Sequence, residues 1–485
     1  MPRRNRKKGQ PHGPGGEKGG PGENWGGEHM RQAPTPLIAV SPDGTLLAVA
    51  FGCELRVWDV GNNALATLST QCPADQAVAA GASGDDDAST KQWHTDAIRA
   101  LRFDSTGTSM CTAGDDKKAR VWRVESKQNG KPRQLTCTKL TTLPKKACAA
   151  TFSTDGKIAA FADKFGDVHG LGVGEGQPSG DDSHLTDTME NKSTYLFGHC
   201  CSIITDAVAP ASDLIATADR DFKIRIAKTP SSVDDALNPK IGIPEVQSFC
   251  HGHAAFVACL AAVPKAVSKT YGPLLLSGGG DGAVRLWRCE DGEALGSVTL
   301  AEPRVKIADS DDEEGDDATD NRVAVTTGEA PREAVDAPAV LALAVGNDGT
   351  VFASVEERPG EVAELAVTVD DTTDKVSLTQ KGWVPLPAAL ETSVPSSLAY
   401  DVASKKWWGV AQAKSDTDST KTESVVFVLG GEAAEISVDF LRIENVASRN
   451  VSLGDAMRKR SYDEQKREER KKQRNDFKKG GASVP

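Results

Sequence analysis

HTDAIRALRFDSTGTSMCTAGDDKKARVWRV, His94 to Val124, is the stretch whose reading decides the fold. It holds short segments in which apolar and polar residues alternate, the period of a strand with one buried face. Asp/Gly turns separate them. The same design returns along the chain, as SPDGTLLAVAFGCELRVWDV (Ser41 to Val60), FSTDGKIAAFADKFGDVHGLGV (Phe152 to Val173) and GHCCSIITDAVAPASDLIATADRDFKIRIA (Gly198 to Ala227). It returns again as GHAAFVACLAAVP followed by LLLSGGGDGAVRLWRC, between Gly252 and Cys289. Self-similarity at this spacing, stretched by insertions, signals a radial repeat of small sheets.

These copies resemble WD repeats. The likeness is specific in two of them. Asp116 stands six residues before Trp122, with Thr112 ten before it and His94 upstream; Asp281, Trp287, Ser277 and His253 repeat the arrangement. The resemblance implies a hydrogen-bonded line of His, Ser/Thr, Asp and Trp bracing each blade. The chemistry agrees, since buried polar groups must satisfy one another and these four types can. The fourth copy keeps His199, Thr217 and Asp221 but has Ala227 at the Trp position. The third has Phe165 for the Asp and Leu171 for the Trp; the first keeps Trp58 but has Gly52 at the Asp position. Strand patterns continue from Val340 to Val369 as a sixth blade. Segments Ser397–Tyr400, Trp407–Val410, Ser424–Leu429 and Ile436–Leu441 make a seventh. The expected architecture is all-β, a seven-bladed propeller over residues 34–445, closed by pairing Leu37–Val40 with the last blade so that no edge is free.

The 485 residues carry a formal charge of −12, yet both ends are basic. Residues 1–33 read as a disordered basic arm of Gly, Pro, Arg and Lys. Four inserts (71–90, 176–194, 228–246 and 303–337) interrupt the ring, the last containing the acidic run DSDDEEGDD. Ser310 within it resembles a site for an acid-directed kinase, against the plainer reading of a solubilising loop. Residues 446–485 form a tail rich in helix formers whose charges alternate in sign, read as a charged helix. Ten cysteines without ligand spacing give no sign of zinc or of a disulfide framework, and point to a reducing compartment.

Catalytic motifs are missing from the pattern. Gly170-Leu-Gly-Val-Gly-Glu-Gly follows a strand but opens into loop, not the helix a phosphate site requires. Binding is the better reading, and charge locates it. ADKFGDV (Ala162 to Val168) and ADRDFKIRI (Ala218 to Ile226) place Asp163, Lys164, Asp167, Asp219, Arg220, Lys223 and Arg225 on neighbouring blades. Such clusters favour register and partner choice. The plain alternative is that Arg225, aligned with Arg56, Arg120 and Arg285, is an ordinary exposed strand charge.

The two motifs, followed by FCxGH (Phe249 to His253) and LLSGGGDGAVRLW, are similar to the non-catalytic WD-repeat subunit of the eukaryotic tRNA guanine-N(7) methyltransferase. The likeness runs from about Leu37 into the sixth blade and weakly to AMRKRSYD in the tail. Phe222 departs from it, standing where the family has an acidic residue. The resemblance implies a chain that performs no catalysis and holds no cofactor. S-adenosylmethionine would sit on a catalytic partner in a heterodimer, which forms 7-methylguanosine in the tRNA variable loop. Arg225 would meet an acidic side chain of that partner, with Lys164 and Arg220 beside it. Arg458, Lys459 and Arg460 of the tail are candidate tRNA contacts, and the basic ends suggest a nuclear as well as cytoplasmic location. The competing expectation is a generic propeller scaffold for chromatin or ubiquitin-ligase assembly.

Overall fold

The computed structural model describes residues 35–70, 94–126, 131–173, 193–200, 202–230, 246–268, 271–302, 337–370, 375–414, 422–429 and 442–444. They form seven sheets in chain order, each built on an antiparallel meander of four successive strands. Blade one runs from Leu37–Val40 to Ala64–Leu65. Blade two uses Ile98–Phe103, Ser109–Gly114, Lys118–Val124 and Gln134–Thr142. Blade three uses Ala147–Phe152, Ile158–Asp163, Asp167–Gly172 and Thr194–Gly198. Blade four uses Ile204–Ala211, Leu214–Asp219, Ile224–Lys228 and Val246–Cys250. Blade five spans Val257 to Thr299, blade six Val340 to Pro385 and blade seven Pro395 to Glu444.

The first strand of every blade packs beside the first strand of the next, and Leu37–Val40 packs beside Pro395–Asp401, so the ring closes. Ala, Val, Leu and Ile fill the wedges between blades. These residues alternate along strands whose both faces are covered, which is why many strands are buried throughout. Across the ring's axis Arg102 of blade two donates to Asp206 of blade four at 3.1 Å, and Asp206 accepts the Leu260 amide of blade five at 2.9 Å.

Several sequence expectations need correction. Leu37–Val40 hydrogen-bonds to Leu46–Phe51 of its own blade, not to the last blade. Closure is by side-by-side packing of Ile38, Leu47, Val49 and Phe51 on Trp408, Val410 and Val426. Only short polar stitches add to it: Ser396 Oγ donates to the Pro36 carbonyl at 2.7 Å, and the Ile38 amide to Ser397 Oγ at 3.3 Å. Blade one is complete without the chain's other end because Ala64–Leu65 already supplies its fourth strand. Thr67–Thr70 then crosses over and adds a parallel fifth strand to the rim of blade two. Blade six gains an outer strand, Lys375–Pro385; in blade seven the described strand after Thr422–Leu429 is Arg442–Glu444, and the expected strand Ile436–Leu441 lies outside the described residues. Thr194, Lys228 and Val246 belong to strands, so the inserts around them are shorter than expected. The basic arm, the interiors of the four inserts, Ser310 and the tail with Arg458, Lys459 and Arg460 lie outside the described residues.

Candidate partner-docking face

Each brace is built where a loop histidine meets the end of its blade's second strand. In blade two His94 lies 2.8 Å from Asp116 and 3.0 Å from Thr112 Oγ1, which accepts the Trp122 indole N–H at 3.1 Å. In blade five His253 lies 3.0 Å from Asp281 and 2.7 Å from Ser277, which accepts the Trp287 N–H at 2.7 Å. All of these side chains are buried or nearly so, so every polar group spends its capacity internally. Nothing here is arranged for catalysis.

Blade four corrects the sequence reading. His199 pairs with Asp219 at 2.9 Å and Thr217 at 2.7 Å, not with Asp221. Asp219 sits two positions earlier than Asp116 or Asp281, at the place occupied by Gly114 and Gly279. The reason is space. A Cβ on Gly279 would lie 2.7 Å from His253 and 2.9 Å from Asp281, so that blade cannot carry a side chain there. Blade four places the carboxylate on that position itself. Asp219 Oδ1 then accepts the amides of Asp221 and Lys223 at 2.8 and 3.0 Å, fixing the turn.

Blade three uses the same turn. Asp163 Oδ1 accepts the amides of Phe165 and Asp167 at 2.8 and 3.2 Å. Burial raises the Asp163 carboxyl, but the His169 contact and these amides outweigh it and hold the group below the usual carboxylate range. Asp163 and Asp219 are both buried, so neither can reach a partner, contrary to the sequence expectation. Gly166 closes the blade-three turn at φ +94°, and a Cβ there would lie 2.4 Å from the Ser202 carbonyl. Only glycine fits this approach.

Moving the carboxylate changes what the third-strand arginine can do. Arg120 and Arg285 lie 4.0 and 3.6 Å from the brace aspartates of their own blades, and Arg56 pairs with Glu54. Arg225 stands in register with them but has no carboxylate in ion-pair range among the described residues. Its guanidinium donates to the Gly198 carbonyl of blade three and lies 5.3 Å from the Phe249 ring. Asp167 and Arg225 both act electrostatically on the Tyr195 hydroxyl, which places all three together. Arg220 is partly exposed and Lys223 exposed. Lys164 is drawn toward blade two, 3.4 Å from Asp115, which also binds Arg99 at 2.8 Å and lies 3.7 Å from Lys146.

Three aromatic rings on these blades were not picked out from sequence: Phe165, Tyr195 and Phe249 are 60, 48 and 40 % exposed. Lys145 caps the Phe165 ring at 4.1 Å, and His251 stacks on Phe249 at 5.8 Å. Exposed aromatics beside an arginine are the composition of a binding hot spot, whereas a solvated face would carry Lys and Glu. Phe165 was legible in principle, because an aromatic replaces the brace aspartate in a solvent-facing turn. Tyr195 and Phe249 lie on outer strands that carry no repeat signature.

Fold and face together define a WD-repeat propeller with a basic, aromatic edge on blades three and four. A family model described as the tRNA methyltransferase TRM82 WD40 domain matches residues 66–194 and 175–345, more than half of the chain. The chain belongs to that family. A Dictyostelium discoideum protein named tRNA (guanine-N(7)-)-methyltransferase non-catalytic subunit wdr4 is 27% identical over 275 residues, 56% of this chain and 50% of that protein. The human non-catalytic subunit WDR4 is 32% identical over 207 residues, 42% of this chain and 41% of its own length. An Aspergillus clavatus subunit, trm82, is 25% identical over 387 residues, covering 66% and 71%. The chain thus spans half or less of the Dictyostelium and human relatives. The solved structure of U3-55K superposes with TM-score 0.51 at 14% identity over 79% of this chain and 90% of that one, a likeness of fold alone.

Proposed function

We propose that this chain is the non-catalytic subunit of a tRNA guanine-N(7) methyltransferase. It docks the catalytic chain on the edge of blades three and four and holds it in its active shape. The observation that carries this reading is Arg225: unlike Arg56, Arg120 and Arg285 it has no carboxylate in ion-pair range among the described residues, and it faces Tyr195 and Phe249. With Asp163 and Asp219 turned inward, Arg220, Lys223 and Arg225 outnumber the partly exposed Asp167 and Asp221 here, so the complementary surface is acidic. A rigid ring presents this patch preformed, which lowers the ordering cost of association.

S-adenosylmethionine and the methyl transfer belong to the partner. This chain adds orientation and phosphate contacts to the tRNA, made by basic side chains and weakening with salt. Assembly in the nucleus accords with the basic ends. The test is Arg225→Glu. It should retain the circular dichroism and melting of the wild type while losing co-purification with the methyltransferase catalytic chain. Unchanged co-purification would put the docking face elsewhere.

A further inference from the structure

Blade three contains a feature that neither the brace nor the docking reading uses. Asp163, Asp167 and His169 form the one grouping of three potential metal ligands among the described residues, with one donor atom from each all within 4.8 Å of one another. The hairpin dictates this. Ala162 pairs with Val168, so Asp163 and Asp167 flank the turn on one face. Two residues along the same strand, His169 joins that face. The motif is Asp-Lys-Phe-Gly-Asp-Val-His, split by a turn, so no spacing rule for paired His or Cys detects it.

The other blades serve as an internal control. Their histidine–carboxylate contacts close to 2.8, 2.9 and 3.0 Å. In blade three His169 Nε2 and Asp163 Oδ2 stand 3.6 Å apart, too far for a hydrogen bond. Both atoms are buried and neither has a hydrogen-bond partner. An unpartnered buried carboxylate oxygen is costly. Two ligands at about 2.0–2.2 Å from a tetrahedral zinc lie about 3.4 Å apart, close to the observed opening. The amides of Phe165 and Asp167 occupy Asp163 Oδ1 and so aim Oδ2 at the site, as outer partners orient ligands in metal centres. Asp167 is the half-exposed member and gives access from solvent. At the same position blade two has Lys118, blade four Lys223 and blade five Ala283. Among these four blades only blade three carries a third donor.

We propose that Asp163, Asp167 and His169 bind one divalent transition ion of the zinc class, suited to one imidazole and two carboxylates. The ion replaces the histidine–aspartate hydrogen bond that braces blades two, four and five. It also pins Asp167 beside Tyr195 at the docking edge. The inference rests on this geometry and not on the function proposed above.

The experiment uses the purified full-length chain, stripped with chelator and then equilibrated with Zn²⁺ or Co²⁺. Bound metal is counted by mass spectrometry for wild type, Asp167→Asn and His169→Gln. One more equivalent of zinc in the wild type than in either variant, with a visible Co²⁺ band that both variants lose, supports the site. Equal metal content in wild type and Asp167→Asn overturns it, leaving the blade with a bare histidine–aspartate contact. Asp167 is partly exposed, so Asp167→Asn keeps the fold and decides the matter even if His169→Gln does not.

Discussion

At the scale of single residues, two aspartates two positions apart do different work. Asp219 closes on buried His199 and holds two turn amides, whereas Asp221 gives its amide to that carboxylate. Asp219→Ala should therefore cost about 1–3 kcal/mol in urea unfolding, the penalty for stranding buried polar groups, and Asp221→Ala clearly less. The reverse order would restore the spacing-based assignment. Titration offers a second check. Burial drives His94 below its ordinary 6.5, against the raising effect of Asp116. It is neutral when folded and protonates on unfolding, so stability should fall as pH drops through 6.5. Asp281 behaves as an acid with a lowered value. Burial raises it, but the charge and hydrogen bond of His253, the Ala254 amide and Arg285 prevail and bring it to about 2. Its stabilisation is complete above 3.8 and lost as pH falls from there toward 2. Chemical denaturation at stepped pH should show both declines, with Asp281→Asn diminishing the lower one.

At the scale of strands and turns, the repeat was legible because apolar alternation and Asp/Gly turns mark every blade. The brace was legible in blades two and five, where spacing and geometry coincide. It was misread in blade four because Asp221 keeps the spacing while Asp219 takes the space a glycine leaves elsewhere. Tyr195 and Phe249 were hidden for a different reason: outer strands follow variable inserts and share no register signal. Cys200, exposed beside His199, reports on this edge. Its alkylation, read by mass spectrometry, should slow when the catalytic chain is bound, while Cys53 on blade one reacts at an unchanged rate. Equal rates at both would argue against docking at blades three and four.

For the molecule as a whole, the seam between blades one and seven is the point of least covalent insurance. Propellers that exchange a strand latch both ends of the chain into one sheet, but here each end completes its own blade. The seam relies on Ile38 against Trp408, Val410 and Val426. Ile38→Ala should destabilise by about 2–5 kcal/mol. In amide exchange the strands Leu37–Val40 and Pro395–Asp401 should open before those of blades three to five. Uniform protection around the ring would show a tighter closure than packing provides.

The ring's proposed role is to lend shape and a few exposed charges to another protein's chemistry, and one assay reaches that directly. Methyl transfer from S-adenosylmethionine to tRNA is measured for the catalytic chain alone, with this chain, and with its Arg225→Glu variant. The account predicts strong activity only with the wild-type chain, near-baseline activity with the variant, and none from this chain by itself. Full stimulation by Arg225→Glu, or methyl transfer by this chain unaided, would contradict it.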